Sequence, residues 1–156
     1  MNKKYARFLP STTAGELSFD NFPFYWITQV HAQYVQNMDS VLKRYGLDNS
    51  RRRILLALET KPHASVSDLS EMIISKMSTT TKIVYRLKEE RLVETYSCEE
   101  DGRITRVYLT DLGKEMTYKI KDLTNVVLEQ SFEGLTPLQI EKMTEGLKHL
   151  FKNLSY

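Results

Sequence analysis

Residues 65–93 read SVSDLSEMIISKMSTTTKIVYRLKEERLV, and this stretch decides the fold. Ser65 to Asp68 fits the pattern S-x-x-[DE], in which a hydroxyl and a carboxylate each satisfy an open backbone N–H of a first helical turn. A short helix therefore starts there, with Leu69, Met72 and Ile73 facing inward. After a break at Ile74 to Lys76, the residues Ile83, Val84 and Leu87 recur at helical spacing and predict a second helix from about Met77 to Arg91. Beyond Leu92 the period falls from 3.6 to 2. Val93 to Ser97 and Thr105 to Leu109 both alternate, and the polar run Glu99 to Arg103 between them, with Gly102 at its tip, reads as a hairpin loop. Two short helices joined by a tight turn and followed at once by a hairpin make a helix-turn-helix with a wing.

Long helices flank this centre. Ile27, Val30, Tyr34, Met38, Val41 and Tyr45 lie on one stripe of a helix from about Phe22 to Tyr45, which Gly46 stops. A further helix begins near Ser50, with Ile54, Leu55 and Leu58 apolar, and ends before Lys61-Pro62. On the C-terminal side Leu112, Met116, Ile120, Leu123, Val127 and Gln130 recur at spacings of three and four. Thr136-Pro-Leu-Gln139 then starts a final helix carrying Ile140, Met143, Leu147, Leu150 and Leu154, with Thr as cap, Pro at the first position and Gln at the third. Residues 1–19 show no period and read as a flexible arm. The fold class is mainly α, an α+β winged helix flanked by long terminal helices, and 156 residues suffice for one such domain over 1–156.

Composition narrows the function. The 22 basic and 20 acidic residues leave a net charge of +2, so any nucleic-acid partner must be announced by where the cations sit. One cysteine, Cys98, makes neither an internal disulfide nor a cysteine zinc site, and no metal is expected. The longest apolar run, Ile54 to Leu58, is far short of a membrane span, and the N-terminus lacks the apolar core of a signal peptide; the expected location is the cytoplasm. Nucleotide-binding, nucleophile-elbow and zinc-protease motifs are missing, and His31, His63 and His149 are scattered, so no enzyme and no cofactor is expected.

The second helix of the motif has the chemistry of a major-groove reader. Lys76, Ser78, Thr79, Thr81, Lys82 and Arg86 supply short hydroxyls for base edges and cations for phosphates, and no acidic residue occurs from Ser75 to Lys88. A run of Ser and Thr also caps helices, so these residues alone leave both readings open. The tip Asp101-Gly102-Arg103 adds an arginine free to enter a minor groove beside an aspartate that orients it. Glu99 and Glu100 place negative charge nearby and oppose the idea.

Ser78 to Leu87, Arg91-Leu-Val93, Asp101-Gly-Arg103 and Val107-Tyr-Leu-Thr-Asp-Leu-Gly113 together resemble the MarR family of bacterial winged helix-turn-helix transcription regulators, over roughly residues 22 to 154. Two departures are Arg91, where a glycine commonly closes the recognition helix, and the two glutamates of the wing. The resemblance implies a homodimer whose terminal helices, 20–46 and 112–156, intertwine, with Leu147, Leu150 and Leu154 in the interface. It implies a DNA-binding region over 47–111 that sets one recognition helix in each half of a pseudo-palindromic double-stranded operator, with Ser65 added to the contacts. Such regulators often answer to small aromatic acids or phenols, and here Phe22, Phe24, Tyr25, Trp26, His31 and Arg53 would line that site; an aromatic cluster at a helix start also serves as dimer core. The reading is a ligand-released repressor. The alternatives are a redox sensor through Cys98, whose thiol pKa the flanking glutamates should raise, and a winged helix used only for protein contacts.

Overall fold

A computed structural model describes residues 3–13 and 16–155; Met1, Asn2, Ala14, Gly15 and Tyr156 lie outside the described residues. The segment expected as an arm carries short elements of its own, a 3-10 helix over Lys3–Phe8 and strands β1 (Ser11–Thr13) and β2 (Glu16–Ser18), which pair with each other and not with the wing. Helix α1 (Pro23–Leu42) follows and continues as a 3-10 turn over Lys43–Tyr45, closed by Gly46 at a left-handed φ of 69°. Helices α2 (Asn49–Thr60), α3 (Val66–Met72) and α4 (Met77–Glu89) precede the hairpin of β3 (Val93–Ser97) and β4 (Thr105–Leu109). Helices α5 (Asp111–Ser131) and α6 (Pro137–Leu154) end the chain.

The capping signals in the sequence produce the bonds they encode. Ser65 accepts from the Asp68 N–H while Asp68 accepts from the Ser65 N–H, and Thr136 and Gln139 do the same at the start of α6. The wing pairs antiparallel with Val93 opposite Leu109 and Ser97 opposite Thr105. Its inward residues Val93 and Val107 are fully buried, and Leu55, Leu58, Leu69, Leu87 and Ile120 belong to the same core. Each such side chain stabilises the fold by about 2 kcal/mol on leaving water. Ser65 also bridges to Arg106, with the Val107 N–H donating to Ala64 O, so the start of α3 is stitched to the wing.

Three expectations need correction. Met72 does not face inward; it is exposed, and the inner face of α3 is carried by Leu69 and Ser70, with Ile73 at the C-cap and Val66 packed against the core. The reading helix ends at Glu89, and Arg91 takes a left-handed φ of 59° to turn the chain into the wing. On α5 the buried line is Gly113, Thr117, Ile120, Thr124 and Val127, which shares Ile120 and Val127 with the apolar stripe, whereas Met116 and Leu123 are half-buried and Leu112 is exposed. The reason is local chemistry. Thr117 and Thr124 donate their hydroxyls to the carbonyls four residues back, so they enter the core with their polar atoms satisfied. Gly113 lies so close to the wing base that a Cβ there would meet Leu92 O at 1.9 Å.

Helix α6 buries no residue of its own within the chain, and the N-terminal half of α1 is equally exposed. Both apolar faces are left without a partner among the described residues, as expected of helices that pair with a second copy.

Gly113→Ala should force α5 off the wing and lower stability by about 1–3 kcal/mol. Arg91→Gly should relieve the left-handed backbone and raise stability by about 1 kcal/mol. Urea unfolding of both variants checks the pair; equal stability of Gly113→Ala and the natural chain would show that this contact is not tight.

Candidate nucleic-acid interface

Helix α4 owes its placement to Thr80, Val84 and Leu87, which are buried on one side and leave the opposite side to solvent. That free side carries Ser78, Lys82 and Tyr85, flanked by Thr79 and Arg86 on one edge and Met77 and Thr81 on the other; all are exposed. The N-cap is Lys76, which makes no side-chain cap bond, so Ser78 and Thr79 are not occupied in capping the helix. Thr81 donates its hydroxyl to Met77 O at 2.9 Å, which leaves its methyl group and oxygen lone pairs to face outward. Tyr85, 64% exposed one turn beyond Thr81, lines the same cleft as Thr81; apolar periodicity does not single it out, although its i+4 spacing from Thr81 marks it.

An open cleft of about 770 Å³ separates α4 from the start of α3 and the wing, with Ser65, Met77, Thr81, Tyr85, Lys88 and Arg103 among its walls. Lys88 holds the wing against the helix by donating to Thr95 Oγ1 at 2.8 Å, with Glu94 3.5 Å away. At the tip Asp101 accepts from the Arg103 N–H at 3.0 Å, and its carboxylate lies 3.6 Å from the guanidinium, which is 95% exposed. Ser65, Thr81 and Arg103 are thus brought to one cleft, Lys82 and Arg86 to the outer side of α4, and Lys76 to its start. A rod of phosphates laid across this face meets cations and hydroxyls.

The start of α3 is held electrostatically. The Lys61 ammonium, 2.9 Å from Asp68, together with the N–H and hydroxyl of Ser65, lowers the Asp68 carboxyl from 3.8 to about 2. Cys98 departs from expectation. Its thiol pKa is lowered, not raised, because the backbone N–H groups of Asp101 and Glu100 point at the sulfur and Arg106 lies beside it. The glutamate side chains do not set its charge.

The residues proposed for a ligand are only partly assembled. Phe22 and Phe24 approach at 5.8 Å, Tyr25 and Trp26 at 5.3 Å, and Phe19 stacks on Tyr25 at 5.4 Å. His31 and half-buried Arg53 make no hydrogen bond, ion pair or ring contact with this cluster. The cluster lines neither the cleft beside α4 nor a hollow of about 380 Å³ between α2, β4 and α5. The buried arginine of α2 is Arg52, which apolar periodicity does not indicate. Among the described residues no group of three or more His, Cys, Asp or Glu side chains could hold a metal ion, and no helix is long and apolar enough to cross a membrane.

A reading helix with an acid-free outer side, set beside an arginine-tipped wing, defines the class as winged helix-turn-helix DNA-binding transcription regulators. No family model matches the chain. It is 41% identical over 139 residues to the HTH-type transcriptional repressor IacR of Pseudomonas putida, covering 89% of this chain and 83% of that one. Its fold is similar to that of Bordetella bronchiseptica BpsR, solved in a study of how 6-hydroxynicotinic acid regulates that protein's DNA binding, with a TM-score of 0.78, 18% identity and coverage of 87% and 97%. It is also similar to a mutant of MarR from E. coli complexed with operator DNA, with a TM-score of 0.75, 18% identity and coverage of 83% and 95%. The chain belongs to the MarR family of transcription regulators, which are not enzymes.

Asp68 contributes its stabilisation in full above about pH 4, and the contribution is lost as pH falls through about 2, because its folded pKa is depressed. Asp68→Asn should therefore melt below the natural chain at neutral pH, and the gap should close on acidification. A gap that stays constant from pH 7 to pH 2 would mean that the Lys61 pairing does not hold this helix.

Proposed function

We propose that the chain is a homodimeric, cytoplasmic repressor that binds a pseudo-palindromic DNA operator through one recognition helix per half-site and is released by a small aromatic or phenolic ligand. The observation that carries the DNA part is the outer side of α4, exposed along its length, free of acidic residues from Ser75 to Lys88 and continuous with Arg103 through one cleft. The 41% identity to a transcriptional repressor supports repression over activation. In this reading the single domain 1–156 divides by role: 47–111 reads DNA, 20–46 and 112–156 assemble the dimer, and 1–19 is an arm. The proposed DNA contacts are Ser65, Lys76, Ser78, Thr79, Thr81, Lys82, Arg86, Asp101 and Arg103. The exposed leucines Leu147 and Leu154, with half-buried Leu150, support pairing of α6 with a second copy. The aromatic cluster at the start of α1, with His31 and Arg53, is the proposed lining of the ligand site. BpsR, of the same fold, has its DNA binding regulated by a small organic acid.

Thr81 and Lys82 separate sequence reading from phosphate binding. Thr81→Ala should change preference among operator variants selected from a random duplex pool. Lys82→Ala should weaken binding to all duplexes alike and reduce the slope of log affinity against log salt by about one unit. Equal, sequence-independent losses would reverse this orientation of α4, and salt-insensitive binding of duplex DNA by the natural chain would favour a winged helix used for protein contacts.

Leu147→Asp places an unpaired charge in the proposed interface, at a cost of several kcal/mol. The natural chain should sediment as a dimer at micromolar concentration and the variant as a monomer, with DNA binding falling because two linked half-site contacts become one. A natural chain that sediments as a monomer defeats the two-half-site mechanism.

A further inference from the structure

Helix α4 carries two exposed ridges of different chemistry. Ser78, Lys82 and Arg86, one turn apart, make the first, and neither cation has an ion pair among the described residues. Met77, Thr81 and Tyr85 make the second at the same spacing, 47% exposed at Met77 and 64% at Tyr85. This second ridge lines the cleft between α4 and the wing. Half-buried Val66 and exposed Ile104 continue its apolar character across that cleft.

The second ridge is poor in hydrogen-bond donors. Thr81 spends its hydroxyl hydrogen on Met77 O at 2.9 Å, so it offers a methyl group and oxygen lone pairs. Met77 offers a thioether. Tyr85 offers a ring face and one hydroxyl, which makes no hydrogen bond among the described residues. These side chains are not needed to fill the core, because the inner face of α4 is already occupied by Thr80, Val84 and Leu87. In a major groove, guanine presents acceptors that call for donors, and adenine and cytosine present amino groups; the one apolar group on any base edge is the 5-methyl of thymine. Residues one turn apart on a helix lying in the groove meet successive base pairs.

We propose that Met77, Thr81 and Tyr85 are specificity-determining residues that read neighbouring thymines through their 5-methyl groups, while Lys82 and Arg86 on the adjoining ridge hold the phosphates. This rests on the DNA-binding reading above and adds to it two contacts, Met77 and Tyr85, and the kind of base they select. Recognition is by apolar contact, so the ridge prefers thymine to uracil, which presents the same hydrogen-bonding edge and lacks only the methyl.

The test uses the full-length chain and a duplex that it selects from a random pool, with each thymine of that duplex replaced in turn by uracil at one fixed salt concentration. At two neighbouring positions of a half-site, uracil should weaken binding about fourfold, the worth of one buried methyl group. Thr81→Ser keeps the hydroxyl and drops the methyl, and it should no longer tell thymine from uracil at one of these positions. Met77→Ala should lose the distinction at the other. Tyr85→Phe should keep the full response, because the ring and not the hydroxyl makes the contact. All three side chains are exposed, so the variants leave the core intact. The proposal is overturned if the selected duplex is bound tightly and uracil is neutral at every position, which would leave the ridge as a wall for a small apolar molecule or a second chain. It is also overturned if Thr81→Ser and Met77→Ala respond to uracil as the natural chain does, or if Tyr85→Phe loses the selected sequence, which would make the reading one of hydrogen bonds. A chain that selects no sequence from the pool defeats the DNA-binding reading as well, an outcome distinct from tight binding that is indifferent to uracil.

Discussion

The geometry of the DNA-reading unit depends on the joint around the carbonyl of Leu92. That oxygen accepts from the Thr110 N–H at 3.1 Å and from the Thr110 hydroxyl at 3.2 Å, while the same hydroxyl donates to Arg91 O at 2.7 Å and receives the Gly113 N–H at 3.0 Å. The end of α4, the base of the wing and the start of α5 therefore meet at a few atoms. Gly113 permits this because any side chain would occupy the place of the carbonyl. With the joint closed, the reading helix cannot tilt without carrying the long helix α5 with it.

Strain is concentrated at the turns of the winged unit. His63, Ile74 and Arg91 all hold left-handed backbone, with φ of 58°, 50° and 59°, at positions where glycine would be relaxed. Ile74 is the extreme case, a β-branched residue that is also 81% exposed, so its side chain gains no burial to offset the conformation. What holds it is the tight turn, in which the Ile73 N–H reaches Leu69 O and the Ser75 N–H reaches Ser70 O. His63 is held in turn by its carbonyl, which accepts from Arg106 at 3.1 Å, and by a ring bond to Tyr96 at 3.2 Å. Contacts elsewhere in the unit thus keep its short turns in place.

Charge is partitioned just as sharply. Arg51 and Asp68 belong to ion pairs at the starts of α2 and α3, whereas Lys82 and Arg86 on the outer side of α4 stand in solvent without an ion pair among the described residues, and Arg103 is 95% exposed beside Asp101. Arg52 fits neither group, being buried and hydrogen-bonded to Tyr34 and Asn49 yet without an ion pair among the described residues.

Much of this was legible from residue order, because it is written in local chemistry. The capping boxes at Ser65 and Thr136, the glycine stop at Gly46, the change of period after Leu92 and the acid-free run from Ser75 to Lys88 each act within a few residues, so the sequence determined the element order from α1 onward, the winged motif and the reading helix, but not the short elements before α1. Only the tertiary structure decided the rest. Apolar periodicity found Ile120 and Val127 on the buried line of α5 but missed Thr117 and Thr124, because a threonine that bonds its own helix counts as polar in a sequence and as core in a fold. It read Met72 as inward because it cannot see where α3 runs out of neighbours. The fate of three adjacent arginines, one ion-paired, one buried with hydrogen bonds but no ion pair among the described residues, one half-buried, was not in their order at all. A guanidinium is paired or orphaned by what distant segments bring to it, here Glu90 for Arg51 and Tyr34 for Arg52, and that depends on packing between helices far apart in the chain.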